Sequence, residues 1–508
     1  MIRACVASSV ALAIWEVTGR VLAGSFVLAP PSAVILYLHD NFWLMARALG
    51  VTLTNAGAGF LIGNLAAIGL AGLAVVWPRS DRMIRGLALL VFCLPLVATG
   101  PILRVIFGPG PWPQITLAAL AVYYTTLIPL LVGLRAVPTD WLDLVRSYGR
   151  GPLSALVKIR AMAALPYLVA GLQIAAPAAF LGAMVGEFTG AERGIGVLTI
   201  RAMRGMNVDM TWALATVATA VAMLGYVAIG AVAGRVLREE PPVILAAPTA
   251  GPRGGIRDVF GVTVAALLVW AVGLHLLGLN TFFAKGPFDV FAALVAAPDA
   301  GATRAALLRA LGQTAIFLLP GYAVGLAFGA GLAMLIVLVP AVAGTAMPVA
   351  IALRSVPIIT TAPLVVLLVG RGAVGTVVLV AIMVFFPTLI ACLHGLRQAP
   401  GRAMDVMESY AASPLQQLVR VRIPAMVPAF FAAARMNVPA SVLAVTVVEW
   451  LATGTGIGSV MALSASVSDY DLLWSSVVVV SVLSVLFYGC VGLVERHFLT
   501  LYAPEQLT

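Results

Sequence analysis

Two arginine side chains lie inside long apolar stretches, where a positive charge is costly. Arg354 and Arg435 each occur well within such a stretch, and a cation at the centre of a membrane-spanning helix costs roughly 2.5 to 3.5 kcal/mol. One interpretation is structural: Arg354 binds carbonyls freed near Pro357, and Arg435 extends toward the cytoplasm. The other is chemical, because a guanidinium forms paired hydrogen bonds with an anion and could provide a transient site for an anionic substrate.

Two glutamates precede a Gly-Ile-Gly sequence, each near the predicted outer end of an apolar run. Such a carboxylate either caps or pairs locally, or it positions the Gly-Ile-Gly turn at the outer surface. The sequence leaves both readings open. The residues concerned are Glu187, Gly194, Gly196, Glu449, Gly456 and Gly458.

The elements that must position these side chains are membrane-spanning helices. Hydrophobic residues make up 62% of the 508-residue chain and charged residues only 10%, unlike a soluble protein. Apolar runs of roughly 20 residues, enough to cross a ~30 Å hydrocarbon layer, occur about twelve times. The alternation of a β-barrel is absent, so an all-α polytopic membrane fold is predicted. The predicted spans are 4–24, 51–76, 84–107, 113–134, 162–187, 211–235, 257–278, 312–340, 343–369, 373–396, 425–450 and 473–494.

The chain contains the same design twice. The segment SYGRGPLSALVKIRAMAALP at Ser147 returns as SYAASPLQQLVRVRIPAMVP at Ser409, an offset of 262 residues that also aligns segments upstream and downstream. Each half holds six predicted spans, so the two repeats are parallel rather than inverted. We assign repeat 1 to residues 1–238 and repeat 2 to residues 257–508, joined by a Pro- and Gly-rich cytoplasmic linker at 239–256.

The formal net charge of +10 reflects orientation rather than a nucleic-acid partner. The cationic residues do not form one basic face. Most fall on segments that an inward N-terminus places in the cytoplasm, as the positive-inside rule predicts. Both termini are then cytoplasmic. Four cysteines, in apolar runs without metal-type spacing, are predicted to pack rather than to bind metal; they are Cys5, Cys93, Cys392 and Cys490.

A short amphipathic helix is predicted in the cytoplasmic loop of each repeat, at about 140–160 and about 402–422. Apolar residues recur there at helical spacing and form one stripe. A single copy would suit the lipid surface equally well. Two copies at matched positions favour docking to a partner with two equivalent sites, such as a symmetric dimer. The stripe residues are Leu144, Val145, Tyr148, Val406, Met407 and Tyr410.

These features together resemble the inner-membrane permeases of binding-protein-dependent ABC importers, in particular the nitrate/sulfonate/taurine type. That family carries a cytoplasmic loop with an acidic residue, then Gly, Ile and Pro at set spacings. Repeat 1 departs from the pattern at the Pro position, and repeat 2 departs at the Gly and Ile positions. Five residues match the pattern, and Ala411 stands where the pattern has Gly. The matching residues are Asp143, Gly149, Ile159, Asp405 and Pro424.

The resemblance implies a transport subunit rather than an enzyme, in a bacterial inner membrane. It implies two type I permease domains fused in one chain. A separate cytoplasmic ATPase dimer would bind ATP and Mg²⁺, and an extracytoplasmic binding protein would deliver a small solute, such as a sulfonate or nitrate. The Gly-Ile-Gly turns would form an external gate or contact that binding protein. The sequence has no G-x-x-x-x-G-K-[ST] phosphate loop, so ATP hydrolysis must belong to another polypeptide.

The translocation pathway is predicted from repeated Pro and Thr residues in the third span of each half and from the arginines. The prolines could equally be helix kinks satisfied by neighbouring spans. Gln173 is the repeat partner of Arg435. The pathway residues are Thr99, Pro101, Gln173, Arg354, Thr361, Pro363 and Arg435.

The alternative function is a twelve-span secondary transporter, which also uses two parallel halves. Ion-coupled carriers usually hold carboxylates or histidines inside their spans as relays. Here Glu187 and Glu449 are placed near outer span ends, and His275 and His394 also lie near span ends. No buried acidic relay is therefore predicted, which favours the ATP-driven importer.

Overall fold

The computed structural model describes residues 2–22, 28–236, 256–347, 350, 365 and 373–502. Every regular element in these ranges is a helix, with no strand among them. The all-α polytopic fold predicted from the apolar runs is therefore confirmed. The linker predicted at 239–256 lies outside the described residues, apart from Ile256.

Repeat 1 alternates long apolar helices with short connecting ones. A π-helical turn, Leu156–Arg160, joins α8 to α9, so that residues 152–188 form one helical run. The helices are α1 (Ile2–Val21), α2 (Pro31–Asp40), α3 (Phe42–Val76), α4 (Asp81–Phe92), α5 (Leu96–Phe107), α6 (Trp112–Arg135), α7 (Thr139–Ser147), α8 (Pro152–Ala155), α9 (Ala161–Phe188), α10 (Ile195–Arg204) and α11 (Val208–Val236).

Repeat 2 reproduces this arrangement. The 262-residue offset relates α7 to α16, α8 to α17 and α10 to α19 at the same first and last residues. The duplication is therefore present in the structure as well as in the sequence. The helices are α12 (Ile256–Leu276), α13 (Pro287–Phe291), α14 (Ala300–Leu338), α15 (Ala373–Arg397), α16 (Gly401–Ser409), α17 (Pro414–Gln417), α18 (Ile423–Val448), α19 (Ile457–Ser466) and α20 (Tyr470–Tyr502).

Nine of the predicted spans coincide with described helices that are long and apolar enough to cross a membrane. Residues 4–24 correspond to α1, whose backbone is helical over Ile2–Val21. Most of the ninth predicted span, 343–369, lies outside the described residues. Several helices extend beyond their predicted limits, notably α3 with 35 residues and α14 with 39.

The third predicted span, 84–107, differs from the uninterrupted helix that its apolar composition suggests. The chain forms α4 and α5, which meet at an angle of 97°. The break falls just before Pro95, whose φ is −71° and which caps α5. Because proline has no N–H and its ring clashes with the preceding turn, it ends one helix and starts another.

Glycines allow the long helices to approach closely at equivalent places in the two repeats. A Cβ added to Gly63 of α3 would lie 2.6 Å from the carbonyl oxygen of Ala119 on α6. A Cβ added to Gly325 of α14 would lie 2.7 Å from the carbonyl oxygen of Ala381 on α15. Small residues of this kind let membrane helices pack backbone against backbone.

The two repeats share one apolar core. Leu117 and Leu214 of repeat 1 belong to the same buried cluster as Val445 of repeat 2. Helix α5 extends this contact, since its Ala98 and Ile102 cluster with residues of α18, α19 and α20. The short helix after the bend is therefore positioned between the repeats.

Candidate functional site

The two helices predicted to dock on a partner, α7 and α16, project exposed apolar side chains. We call them the coupling helices. Tyr148 is 76% exposed and Tyr410 is 83% exposed. Leu144 and Val406 are also exposed, whereas Val145 and Met407 are half-buried. Each coupling helix therefore offers a tyrosine and an aliphatic side chain that no other part of the described chain covers.

Both coupling helices end in the same left-handed turn. Gly149 has φ of 67° and its repeat partner Ala411 has φ of 51°. The N–H of Arg150 donates to the Val145 carbonyl at 3.2 Å, and the N–H of Ala412 donates to the Met407 carbonyl at 2.9 Å. This is the Schellman pattern that terminates helices. The substitution of Gly by Ala in repeat 2 thus leaves the backbone turn unchanged.

The remaining residues of the family-like loop serve different positions. Asp143 is exposed and pairs with Arg146 on the same helix at 2.9 Å; Asp405 is exposed too. Ile159 is half-buried in the π-helical turn before α9, and Pro424 is half-buried near the start of α18. The acidic residues thus lie on the exposed surfaces of the coupling helices, while Ile159 and Pro424 lie where the loop re-enters the bundle.

Glu187 forms a buried hydrogen-bonded site in repeat 1. Its Oε1 accepts from the Thr52 hydroxyl at 2.7 Å, and its Oε2 accepts from the N–H of Gly196 at 2.7 Å. The N–H of Ile195 donates in turn to the Thr52 hydroxyl at 2.9 Å. We call this set, Glu187 with Thr52 and the start of α10, the repeat 1 latch, because it ties α3, α9 and α10 together.

Repeat 2 contains the equivalent latch, formed by Glu449, Thr314 and the start of α19. Glu449 Oε2 accepts from the Thr314 hydroxyl at 3.0 Å and from the N–H of Gly458 at 2.9 Å. The N–H of Ile457 donates to the Thr314 hydroxyl at 2.9 Å. A helix N-terminus carries free N–H groups and a partial positive charge, so a carboxylate stabilises it.

The first glycine of each Gly-Ile-Gly sequence is required by the latch. Gly194 has φ of 135° and Gly456 has φ of 83°, in the region that disfavours other residues. A Cβ at either position would also lie 2.1 Å from an atom of the glutamate carboxyl group. The glycines therefore make room for the carboxylates.

Both latch glutamates are buried. Glu187 is 1% exposed and Glu449 is 0% exposed, so both carboxylates lie behind the turns rather than on their surfaces. A role of the turns in contacting a binding protein stays a prediction. Sequence reasoning missed Thr52 and Thr314, although both end the aligned segments RALGVT and RALGQT.

Arg435 has a partner that the sequence analysis misses. Its Nε lies 2.8 Å from Oε2 of Glu495 on α20, and its guanidinium carbon lies 5.8 Å from the Tyr488 ring centre. Arg435 is 8% exposed and Glu495 is 6% exposed. The predicted last span stops at 494, one residue short of this carboxylate. Burial of both charges is tolerated because each neutralises the other.

The prediction of no buried acidic relay needs qualification, because three glutamates are buried. Glu187 and Glu449 are engaged in the latches, and Glu495 is engaged by Arg435. Each carboxylate has local partners. None of these three interactions links one glutamate to another, so they do not form a chain of acidic groups across the bundle.

The other predicted pathway residues are only partly described. Thr99 is buried in α5 and its hydroxyl donates to the Leu96 carbonyl at 2.8 Å, with Pro101 inside the same helix. Gln173 approaches Gly230 of α11 as Arg435 approaches the equivalent Gly492 of α20. Three further predictions, Arg354, Thr361 and Pro363, lie outside the described residues.

Comparison with known proteins agrees with the duplicated helical design. A family model described as "Binding-protein-dependent transport system inner membrane component" matches residues 59–238 and again residues 321–500. The two matches fall on the two repeats and together include most of the chain.

Individual relatives correspond to about half of this chain. A Haemophilus influenzae protein named "Probable ABC transporter permease protein" is 31% identical over 223 residues, 43% of this chain and 90% of the relative. The formylaminopyrimidine transport permease ThiX of Halalkalibacterium halodurans is 25% identical, over 43% of this chain and 88% of its own. The nitrate import permease NrtB of Synechococcus elongatus is 26% identical, over 36% and 70%.

Proposed function

Since the chain belongs to the family of binding-protein-dependent transport system inner membrane components, we propose that it supplies both permease domains of one ATP-driven importer. The coupling helices dock on a cytoplasmic ATPase dimer, and an extracytoplasmic binding protein delivers the solute. ATP and Mg²⁺ bind the ATPase. The chain lies in the bacterial inner membrane with both termini in the cytoplasm.

The observation that carries this proposal is the matched exposure of the two coupling helices. Tyr148 and Tyr410 occupy equivalent positions and are each more than three-quarters exposed. Two equivalent helices on one chain suit a partner with two equivalent clefts, which a symmetric dimer provides. Closure of the ATPase dimer on ATP would move the coupling helices together and reorient the attached spans as rigid bodies.

The latches would carry this motion toward the opposite ends of the spans. Each latch glutamate belongs to the helical run that starts in the coupling loop, Pro152–Phe188 in repeat 1 and Pro414–Thr453 in repeat 2. Movement of that run would therefore pull the Gly-Ile-Gly turn and the following short helix with it. The turns would then open or close the outer end of the pathway.

The docking proposal is tested by replacing Tyr148 and Tyr410 with aspartate in a reconstituted complex. A buried charge in the ATPase cleft should abolish ATP hydrolysis stimulated by the loaded binding protein. Matched Tyr148→Phe and Tyr410→Phe variants keep the apolar ring and should retain most of the stimulation. Wild-type stimulated hydrolysis by the double aspartate variant would refute docking through these residues.

We further propose that the solute is a small anion, such as a sulfonate or nitrate. The nitrate relative supports this class, and Arg435 offers a guanidinium beside α20. Because Glu495 already neutralises Arg435, the anion would have to displace that carboxylate. Another relative is named for the transport of formylaminopyrimidine, so the relatives do not all point to a small inorganic or sulfonate anion.

Repeat 1 supplies a control for this second proposal, because Gln173 and Ala233 occupy the positions of Arg435 and Glu495. Arg435→Gln alone leaves a buried carboxylate unpaired, which destabilises strongly. The double variant Arg435→Gln, Glu495→Ala should fold better than the single variant yet transport the anion poorly. Full anion uptake by the double variant would exclude an anion site at Arg435.

A further inference from the structure

Equivalent arginines have different surroundings in the two repeats. In repeat 1, Arg135 ends α6 and its Nη2 lies 2.5 Å from Oδ1 of Asp81. The same carboxylate oxygen lies 3.0 Å from Nε of Arg85. Asp81 follows the 3₁₀ turn Pro78–Ser80 at the start of α4. An internal carboxylate thus satisfies the cation at this end of repeat 1.

Repeat 2 keeps the cations but lacks the carboxylate. The 262-residue offset places Arg397 and Arg422 where repeat 1 has Arg135 and Arg160, and it places Ala343 where repeat 1 has Asp81. The 3₁₀ turn recurs as Pro340–Val342. Within the described ranges neither Arg397 nor Arg422 forms an ion pair, and the sequence from 348 to 372 contains no Asp or Glu.

A cavity of about 290 Å³ opens at this position in repeat 2. It lies between the end of α14, the 3₁₀ turn, the end of α15 and the start of the run that leads into α18. Four apolar residues and two arginines share its wall. The lining residues are Ile336, Val337, Pro340, Ala343, Arg397 and Arg422.

We propose that this cavity binds the headgroup of an anionic phospholipid, with the lipid phosphate taking the place of the Asp81 carboxylate. The cavity lies on the same side of the membrane as the coupling helices. The lipid would therefore belong to the cytoplasmic leaflet, an assignment that rests on the orientation in the proposed function. Arginine pairs bind phosphate through several charge-assisted hydrogen bonds. Basic pockets between spans on the cytoplasmic side are typical sites for anionic headgroups.

The apolar part of the cavity favours a lipid over a free anion or an acidic side chain of the ATPase. Ile336 and Val337 offer hydrocarbon contact to the glycerol and the first methylenes of a bound lipid. Beside them Leu335 and Val339 are each 45% exposed, so the acyl chains have an apolar surface to follow. Inorganic phosphate would leave these contacts unused.

The test measures phospholipid binding to the purified full chain, in detergent and without the ATPase, by native mass spectrometry during titration with phosphatidylglycerol. The wild type should retain one phosphatidylglycerol in preference to phosphatidylcholine. The double variant Arg397→Gln, Arg422→Gln should weaken this binding by about ten-fold or more, because charge-assisted hydrogen bonds to the phosphate are lost. A ten-fold loss corresponds to about 1.4 kcal/mol.

Two further variants separate lipid binding from a general loss of charge or fold. Ala343→Asp restores the carboxylate of repeat 1 and should also expel the lipid, although both arginines remain. Arg420→Gln removes an exposed cation from the π-helical turn Leu418–Arg422, which also holds Arg422, but Arg420 lies outside the cavity. This variant should bind lipid like the wild type.

Three results would overturn the proposal. One is wild-type lipid binding by both the Arg397→Gln, Arg422→Gln variant and Ala343→Asp. Another is displacement of the lipid by inorganic phosphate at equal concentration, which would assign the site to a free anion. The third is unchanged lipid binding by the Arg397→Gln, Arg422→Gln variant together with loss of ATPase association in a separate pull-down, which would assign the arginines to the ATPase. Because lipid is measured without the ATPase, failure here leaves coupling-helix docking intact.

Discussion

Glu187 and Glu449 use their carboxylate oxygens differently, although they hold equivalent turns. Glu187 accepts the Thr52 hydroxyl on one oxygen and the Gly196 N–H on the other. Glu449 accepts both equivalent donors on Oε2, and its buried Oε1 has no hydrogen-bond partner among the described residues. A glutamine side chain has only one acceptor oxygen. It can therefore replace the single acceptor oxygen of Glu449 but not both acceptor oxygens of Glu187.

We therefore expect Glu187→Gln to destabilise the protein more than Glu449→Gln. Glu187→Gln must give up an acceptor and bring an amide against a donor, which costs about 1.5 to 3 kcal/mol for a charge-assisted bond. Glu449→Gln keeps one oxygen for both donors. Thermal unfolding of the two purified variants checks the order, and an equal or reversed loss of thermal stability would contradict the latch geometry.

Single residues also mark what the sequence reveals and what it hides. The latch glutamates stand out because each precedes a repeated Gly-Ile-Gly. Their threonine partners lie 135 positions away in the chain, and only folding brings them close. Glu495 is hidden for another reason: its repeat partner is Ala233, so the duplication gives no signal for a buried ion pair present in one repeat alone.

At the scale of elements, the ends of the coupling helices depend on one left-handed residue each. An L-residue with a side chain pays roughly 1–2 kcal/mol in this conformation. Ala411 adopts it with φ of 51°, whereas Gly149 adopts it freely. At Gly149 an added Cβ would meet no atom within 4 Å, so conformation alone decides the cost there.

Exchanging these residues should shift helix-end stability in opposite directions. Ala411→Gly should stabilise the end of α16 by up to ~1 kcal/mol, after allowing for the greater freedom of glycine in the unfolded chain. Gly149→Ala should destabilise the end of α7 by roughly 1–2 kcal/mol. Hydrogen exchange of peptides over the two loops measures both effects; slower exchange in Gly149→Ala would be inconsistent with the left-handed turn.

The elements themselves are predictable to different degrees. Apolar length alone predicts nine described spans correctly, because hydrocarbon thickness sets the length of a spanning helix. It does not predict the bend within residues 84–107, where the composition stays apolar while the chain turns by 97° between α4 and α5. Pro95 is the local signal of that bend, but proline also occurs inside unbroken helices here, such as Pro129 in α6.

At the scale of the whole molecule, the two repeats pack against each other, and each carries one coupling helix. They share buried clusters that include residues of both halves, so motion at one coupling helix would reach the other half through packed side chains. The sequence predicts the parallel repeat from its 262-residue offset. It shows Asp81 against Ala343 and Ala233 against Glu495 at equivalent positions. It does not predict the ion pairs that Asp81 and Glu495 form, because each pair joins distant segments of the chain.

The most direct test of the docking of both coupling helices is site-specific photo-crosslinking in the assembled complex. A photoreactive phenylalanine analogue replaces Tyr148 or Tyr410, and the same analogue at Trp43, 75% exposed on α3, serves as the control. Both coupling-helix positions should capture the ATPase, with a doubly substituted chain capturing two copies, while position 43 captures none. Failure of both coupling-helix positions to capture the ATPase in an assembled and active complex would contradict the account.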